Sequence, residues 1–212
     1  MRITKHEHAC LQIESAGSTL VIDPGSMTTA LVGLKNVVAV VITHQHADHW
    51  TPEQLYRILD DNSDVVVFGP PDVAVAASGF DITVVNDKDT VTAGPFTLRF
   101  FGGKHAVIHP SIPVVDNVGV LVNDQFYYAG DSFTIPDGVE VDTLAVPAGA
   151  PWMKVSEAMD YVLALKPRRA FPTHEMVLSV AGKGLSNQRL KDMTEVNGGE
   201  YFPLEPNQSL DI

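Results

Sequence analysis

"NVVAVVITHQHADHW", residues Asn36–Trp50, runs from an apolar segment straight into a cluster of titratable side chains. Residues 36–43 are nearly all apolar and mostly β-branched. A run this short suits a strand buried on both faces, as in a parallel sheet covered by helices. His44, His46, Asp48 and His49 then fall within six consecutive positions. Buried imidazoles and carboxylates are costly unless they are paired or coordinate a metal. A helix start follows at once: Thr51 can cap it, Pro52 suits its first turn, and Gln54 completes a Thr-x-x-Gln capping box. The cluster therefore occupies a short loop between the end of a buried strand and a helix cap.

Side chains alternate on extended backbone, so His44 and His46 can point to one side and grip one ion. Asp48 and His49 lie where the loop turns towards the helix, and they can reach a second position. A closed structural zinc site more usually draws on cysteines. This set has a carboxylate and no cysteine, which suits a hydrolytic centre with an open, water-bearing position.

Outward from this stretch, "ACLQIES" (9–15) and "TLVIDPG" (19–25) alternate as strands around a turn. Further strands are expected at "FTLRFFGG" (96–103), "VDTLAVP" (141–147) and "RRAFPTH" (168–174). "NVGVLV" and "QFYYAG" flank Asn123-Asp124 and read as a hairpin. "VSEAMDYVLALK" (155–166) and "SNQRLKDMTEV" (186–196) have helical spacing, and "EYFPLEP" (200–206) closes the pattern. Strands in clusters followed by a helix, twice over, predict two similar halves packed sheet to sheet with helices outside. With no linker or low-complexity segment, one domain over residues 1–212 is expected.

The chain has 212 residues, 45% of them hydrophobic, and a net charge of −12. That balance argues against a nucleic-acid partner, which calls for clustered Lys and Arg. The one basic run, Lys166-Pro167-Arg168-Arg169, reads as a solvated entry to a strand. No apolar run reaches the ~18 residues of a membrane helix, and the amino terminus lacks a signal-peptide core. The single cysteine, Cys10, cannot form an internal disulfide and reads as a small core residue. A reducing, cytoplasmic setting is the resulting expectation, with no membrane partner.

"THQHADH" (43–49) resembles the His-x-His-x-Asp-His signature of the metallo-β-lactamase superfamily. The resemblance extends over nearly the whole chain and implies an α/β fold, a four-layer αβ/βα sandwich with a metal site at one edge between two sheets. It implies His44 and His46 on a first metal and Asp48 and His49 on a second. Asp131 in "YYAGDSF" matches the aspartate that bridges both, and His174 in "AFPTHE" matches the late histidine on the second metal. The third ligand of the first metal lies in "FFGGKHAVIHP". His105, which comes sooner after the strand, is preferred over His109, which then becomes a pocket or loop residue. "HACLQIES" and "LVIDPGS" resemble the branch of L-ascorbate-6-phosphate lactonase and other small bacterial hydrolases, except that Glu7 stands where that branch commonly has Gly. His8 then either orients ligands or is an ordinary strand histidine.

The resemblance implies an enzyme, a dinuclear metal-dependent hydrolase, with zinc favoured and manganese or iron as alternatives. A metal-bridging hydroxide would attack an ester, lactone or phosphodiester of a small molecule, with Asp48 and Asp131 in the catalytic set. Ser132 is then second to the metals and not a nucleophile. Trp152 could pack on a substrate, Lys154 or Lys104 could hold an anionic group, and a homodimer follows from family habit alone. The alternative readings are a di-iron redox or oxygen-handling protein of the same fold, or a nuclease or thioesterase. The charge disfavours the nuclease, and a thioesterase normally carries a helical extension for which this chain has little room.

Overall fold

A computed structural model describes the chain over residues 1–212. Its first half lays down β1 (Arg2–Lys5), β2 (Leu11–Ser15), β3 (Ser18–Ile22), β4 (Val37–Val41), β5 (Val66–Gly69) and β6 (Ile82–Val84). Helix α1 (Pro52–Asp61) links β4 to β5, and α2 (Pro71–Ala76) links β5 to β6. The second half brings β7 (Thr90–Ala93), β8 (Phe96–Phe101), β9 (Gly119–Val122), β10 (Phe126–Tyr128) and β11 (Thr143–Pro147). There follow α3 (Val155–Leu165), β12 (Arg169–Thr173), α4 (Val180–Glu195) and β13 (Glu200–Tyr201). Last comes β14 (Gln208–Asp211), which returns to the first sheet beside β1.

The strands form two seven-stranded sheets, in the orders β14-β1-β2-β3-β4-β5-β6 and β13-β12-β11-β10-β9-β8-β7. Taken from β14 and from β7, each sheet has three antiparallel pairings and then three parallel ones. So β1 corresponds to β8, β3 to β10, β4 to β11 and β5 to β12. Parallel neighbours need crossovers; α1, α2, α3 and α4 supply four of the six on the outer faces, and the loops after β3 and β10 supply the other two.

The apolar pattern explains the layering. Ala39 and Val41 point inward, into a cluster with Ile13, Leu20 and Ile22 of the first sheet and Phe100, Val120 and Phe171 of the second. Val40 and Ile42 point outward, onto Leu55 and Ile58 of α1 and Val73 of α2. This double burial is why β4 reads as an unbroken apolar run. Leu144 and Val146 of β11 likewise meet Ala158 and Val162 of α3 and Leu190 of α4 on the far side. The result is the four-layer α/β sandwich that the resemblance implies: helix, sheet, sheet, helix.

Some local expectations change. Asn123 and Asp124 both take positive φ, 51° and 52°, which turns the β9–β10 hairpin. Thr51 accepts from the Gln54 N–H, but the Gln54 side chain does not close the box. It bonds Leu31 N and the carbonyls of Thr28 and Thr29 instead, tying α1 to the preceding loop. Helix α4 begins at Val180, six residues before the expected start, with Ser179 capping the Gly182 N–H at 3.1 Å. Gly182 and Gly184 hide that first turn, since glycine costs a helix about 1 kcal/mol each. "EYFPLEP" yields only the two-residue β13, and β1, β5, β6, β7 and β14 add strands that the sequence reading did not assign. No helix is long and apolar enough to cross a membrane.

Candidate metal centre

The two sheets are stitched together where β4 ends. Val118 donates its N–H to the Thr43 carbonyl at 3.0 Å, and His44 forms an isolated bridge with Asn117. Four loops converge there: those following β4, β8, β10 and β12. They carry His44–His49, His105, Asp131 and His174 respectively.

Three overlapping groups of ligand-type atoms result, each within 4.8 Å. The first is His44, His46 and His105; the second is His8, Asp48, His49 and His174; the third is His44, His49 and Asp131. Asp131 stands between the first two. Its Oδ2 lies 3.3 Å from His105 Nε2 and 3.2 Å from His174 Nε2, while its Oδ1 lies 3.2 Å from His49 Nε2. Asp48 Oδ2 lies 3.4 Å from His174 Nε2 and 3.8 Å from His49 Nε2.

The histidines share one hydrogen-bonding pattern. The Nδ1 atoms of His49, His105 and His174 meet Asp23 Oδ2 at 2.7 Å, the Ala106 carbonyl at 2.5 Å and the Gly149 carbonyl at 2.9 Å. His44 Nδ1 meets Thr43 Oγ1 at 3.1 Å. With Nδ1 engaged, Nε2 is left over, and in all four it is buried without a hydrogen-bond partner, as is Asp131 Oδ1. Native interiors rarely orphan polar atoms. Five such atoms around one point fit a metal site, because a ligating imidazole typically donates its other N–H to a carbonyl or carboxylate. His8 inverts the pattern: its Nε2 meets Asp48 Oδ2 at 3.1 Å and its Nδ1 is the orphan.

The charges reinforce one another. Burial alone would raise Asp131, but His49 and His174 hold it well below the ordinary carboxylate range. Burial alone would lower His49 and His174. Asp131, with Asp23 for His49 and Asp48 for His174, instead pushes His49 well up and His174 up to about 9. His44 goes the other way, driven well down by burial and by the neighbouring His49.

Other residues singled out in the sequence fall elsewhere. His109 is exposed, its Nδ1 bonded to Ser111 Oγ at 2.7 Å, while His105 is buried in the cluster. Lys154 is exposed at the N-cap of α3, where its N–H donates to Glu157. Lys104 pairs with Asp116 at 2.6 Å. The Ser132 hydroxyl donates to the Ala129 carbonyl and shares a hydrogen bond with Thr134 Oγ1, so it is engaged in its own turn. Trp152 is buried, and its indole N–H points at Asp131. A stacking platform for substrate is therefore not what its position offers.

The sequence reading passed over Asp23, Thr43 and Asn117. Asp23 ends β3 in the left-handed region, with φ 49°, and accepts from Thr43 N, Thr43 Oγ1 and His49 Nδ1. Asn117 accepts from Asp131 N at 3.0 Å and donates to the Ala129 carbonyl, fixing the loop after β10. The one signal for Asp23 was its place in an Asp-Pro-Gly break directly after a strand.

Comparison with known proteins agrees with this fold. Protein Rv0786c of Mycobacterium tuberculosis is 38% identical over 99% of this chain and 98% of its own length. Igni18, a metallo hydrolase from Ignicoccus hospitalis, superposes with a TM-score of 0.74 at 19% identity, covering 99% of this chain and 97% of its own. The diiron β-hydroxylase CmlA from Streptomyces venezuelae superposes with a TM-score of 0.73 at 18% identity, covering all of this chain and 54% of its own. The model of the β-lactamase superfamily domain matches residues 2–174, a span holding every candidate ligand. With that sandwich and that match, the chain belongs to the metallo-β-lactamase superfamily.

Proposed function

We propose that this protein is a dinuclear metal-dependent hydrolase, with zinc as the favoured ion, acting on an ester, lactone or phosphodiester of a small molecule. One observation carries the reading: four buried histidines with Nδ1 engaged and Nε2 unpartnered surround a carboxylate that reaches both ligand groups. His44, His46 and His105 would hold one ion, and Asp48, His49 and His174 the other, with Asp131 common to both. Imidazole and carboxylate together suit zinc, iron or manganese, and the three-histidine group favours zinc. The names metallo hydrolase and diiron β-hydroxylase, carried by two proteins of the same fold, leave hydrolysis and oxygen chemistry as the two classes to separate.

Bound divalent ions would supply an activated water at neutral pH and positive charge for a developing oxyanion. The chain's own groups do the rest. Asp48 is a quarter exposed where Asp131 is buried, so Asp48 is the carboxylate that meets solvent and substrate and orients the attacking water. Asp23, Thr43 and the Ala106 and Gly149 carbonyls fix the tautomers and the ring orientations. The engaged hydroxyl of Ser132 argues against an acyl-enzyme route. The acidic surface supports a small-molecule substrate over nucleic acid, and a homodimer in a cytoplasmic setting remains part of the proposal.

Metal analysis of purified protein tests this reading together with a panel of lactones, carboxylic esters, phosphodiesters and thioesters. Two equivalents of zinc and hydrolysis that Asp131→Ala abolishes are expected. Bound iron with a visible absorbance and no hydrolysis would favour the redox class. Absence of any transition metal, with uptake unaffected by His46→Ala, would sink the proposal.

A further inference from the structure

Trp152 is the side chain that none of the expected roles explains. It lies in the loop after β11, and β11 sits between β10 and β12 in its sheet. That places its loop amid those delivering Asp131 and His174, with the His105 loop on the other side of β10 and β9. Its indole Nε1–H donates to Asp131 Oδ2 at 2.6 Å. The same ring stands edge-on to His105, with centroids 5.9 Å apart, and to His174, at 6.4 Å. Phe133 backs it at 5.3 Å, and Tyr161 of α3 packs on Phe133 in turn. One side chain thus touches all three ligands that arrive from the second sheet, each borne on a different loop.

We infer that Trp152 is a positioning residue that locks the carboxylate of Asp131 and the rings of His105 and His174 into a single metal-ready arrangement. The inference rests on the metal-centre reading above. The early ligands share one loop and have Asp23 and Thr43 beneath them. The late three have no common backbone, so their mutual placement needs a tie. The terminal torsion of an aspartate is broad and two-fold, so backbone alone does not fix which oxygen faces the two histidine groups. Asn117 holds the Asp131 backbone at 3.0 Å, and Trp152 holds its carboxylate. Indole is donor only, so Trp152 can orient Oδ2 but cannot take a proton from it. Edge-to-face contacts hold both imidazoles against the same ring.

Zinc competition against a chromophoric chelator tests this, with wild-type protein, Trp152→Phe and Trp152→Ala. The Phe variant keeps a ring and loses the N–H, so it should bind zinc about 10–100-fold more weakly, and Ala more weakly still. A second measurement does not depend on the folding of those variants. The chain has two tryptophans, so a ¹H–¹⁵N spectrum of the wild type carries two indole peaks, assigned with Trp50→Phe. The Trp152 peak should move on zinc addition. Wild-type protein that binds zinc while Trp152→Phe binds it equally well, or a Trp152 peak indifferent to zinc, overturns this inference and leaves the metal centre standing. Wild-type protein that binds no metal overturns both.

Discussion

Asp23 Oδ2 lies 2.7 Å from His49 Nδ1, and both side chains are fully buried. The same carboxylate accepts from Thr43 N at 2.8 Å and Thr43 Oγ1 at 2.7 Å, so one aspartate at the end of β3 steadies the start and the finish of the ligand loop. Asp23 and Asp131 each follow one of two equivalent strands, β3 and β10, the first directly and the second three residues on. Asp131 faces the ligand groups, and Asp23 supports them from behind.

Asp23→Asn places an amide donor among three groups that need acceptors. A buried donor or acceptor left unsatisfied costs about 1–3 kcal/mol, and a lost partner behind a ligand costs about 10–100-fold in metal affinity. Urea unfolding of the metal-free protein and zinc competition should both register the change. A variant matching wild type in both would show that Asp23 is a bystander.

Protons and metal compete for the same atoms. Asp131 and its neighbours push His174 up to about 9, so that ring carries a proton at pH 7 before metal arrives, and they push His49 well above its usual value. His44 goes the other way, pushed down mainly by burial. Ligands must deprotonate to bind, so zinc affinity should fall as pH drops below about 9, by up to tenfold per unit for each proton released. The sign is opposite for the metal-free fold. A raised histidine stabilises fully below its unfolded pKa of about 6.5, and that contribution fades as pH rises through about 9. Calorimetric titrations in buffers of different ionisation enthalpy measure the released protons, and a release of zero would contradict the charge arrangement.

The ligand loop was legible because its chemistry is local: strand, ligands and cap follow one another within residues 36–54. The doubled strand grammar was legible too, because β4 and β11 are buried on both faces and read as unbroken apolar runs. What escaped depends on contacts between loops far apart in sequence at the end of one sheet. Nothing near Trp152 in sequence reveals that its N–H meets Asp131, 21 residues away. Nor does any local pattern join Asp23 to His49, or His8 to Asp48, 40 residues away. Short edge strands such as β6 and β13 carry too few alternating residues to be seen, and the glycines of α4 mask its first turn.

Two glycines sit where the loops of the centre leave no room for a side chain. A Cβ on Gly25 would stand 1.8 Å from the Asp48 carbonyl oxygen, and one on Gly130 would stand 2.5 Å from Asn117 Oδ1 at a backbone φ of +63°. Backbone cannot yield as a side-chain tip can, so Gly25→Ala must shift the loop that carries Asp48 and His49. Overpacking of this kind costs about 1–3 kcal/mol. The expected phenotype of Gly25→Ala is loss of about half the bound metal from a protein that still folds, and Gly130→Ala should be destabilised by at least as much. Gly79→Ala, where nothing lies within 4 Å, is the control. Full metal content in Gly25→Ala would show that the Asp48 loop tolerates displacement.

Beneath His174, Lys5 of β1 pairs with Glu175 in full burial, and Lys5 Nζ also donates to the His6 carbonyl at 3.1 Å. His174 itself takes φ 60°, and its N–H donates to the His8 carbonyl at 2.9 Å, so the residues after β1 and after β12 hold each other in place. Removing one partner of a buried pair strands a charge, at a cost of about 3–5 kcal/mol, whereas replacing both with apolar groups is often neutral. Lys5→Met alone and Glu175→Leu alone should each unfold at markedly lower denaturant, and the double variant should recover most of the loss. Zinc affinity separates a purely structural role from a second one. If the pair also anchors His174, the double variant regains stability but not affinity, because the turn after β12 has lost its polar tether. Equal recovery of both would confine the pair to the core.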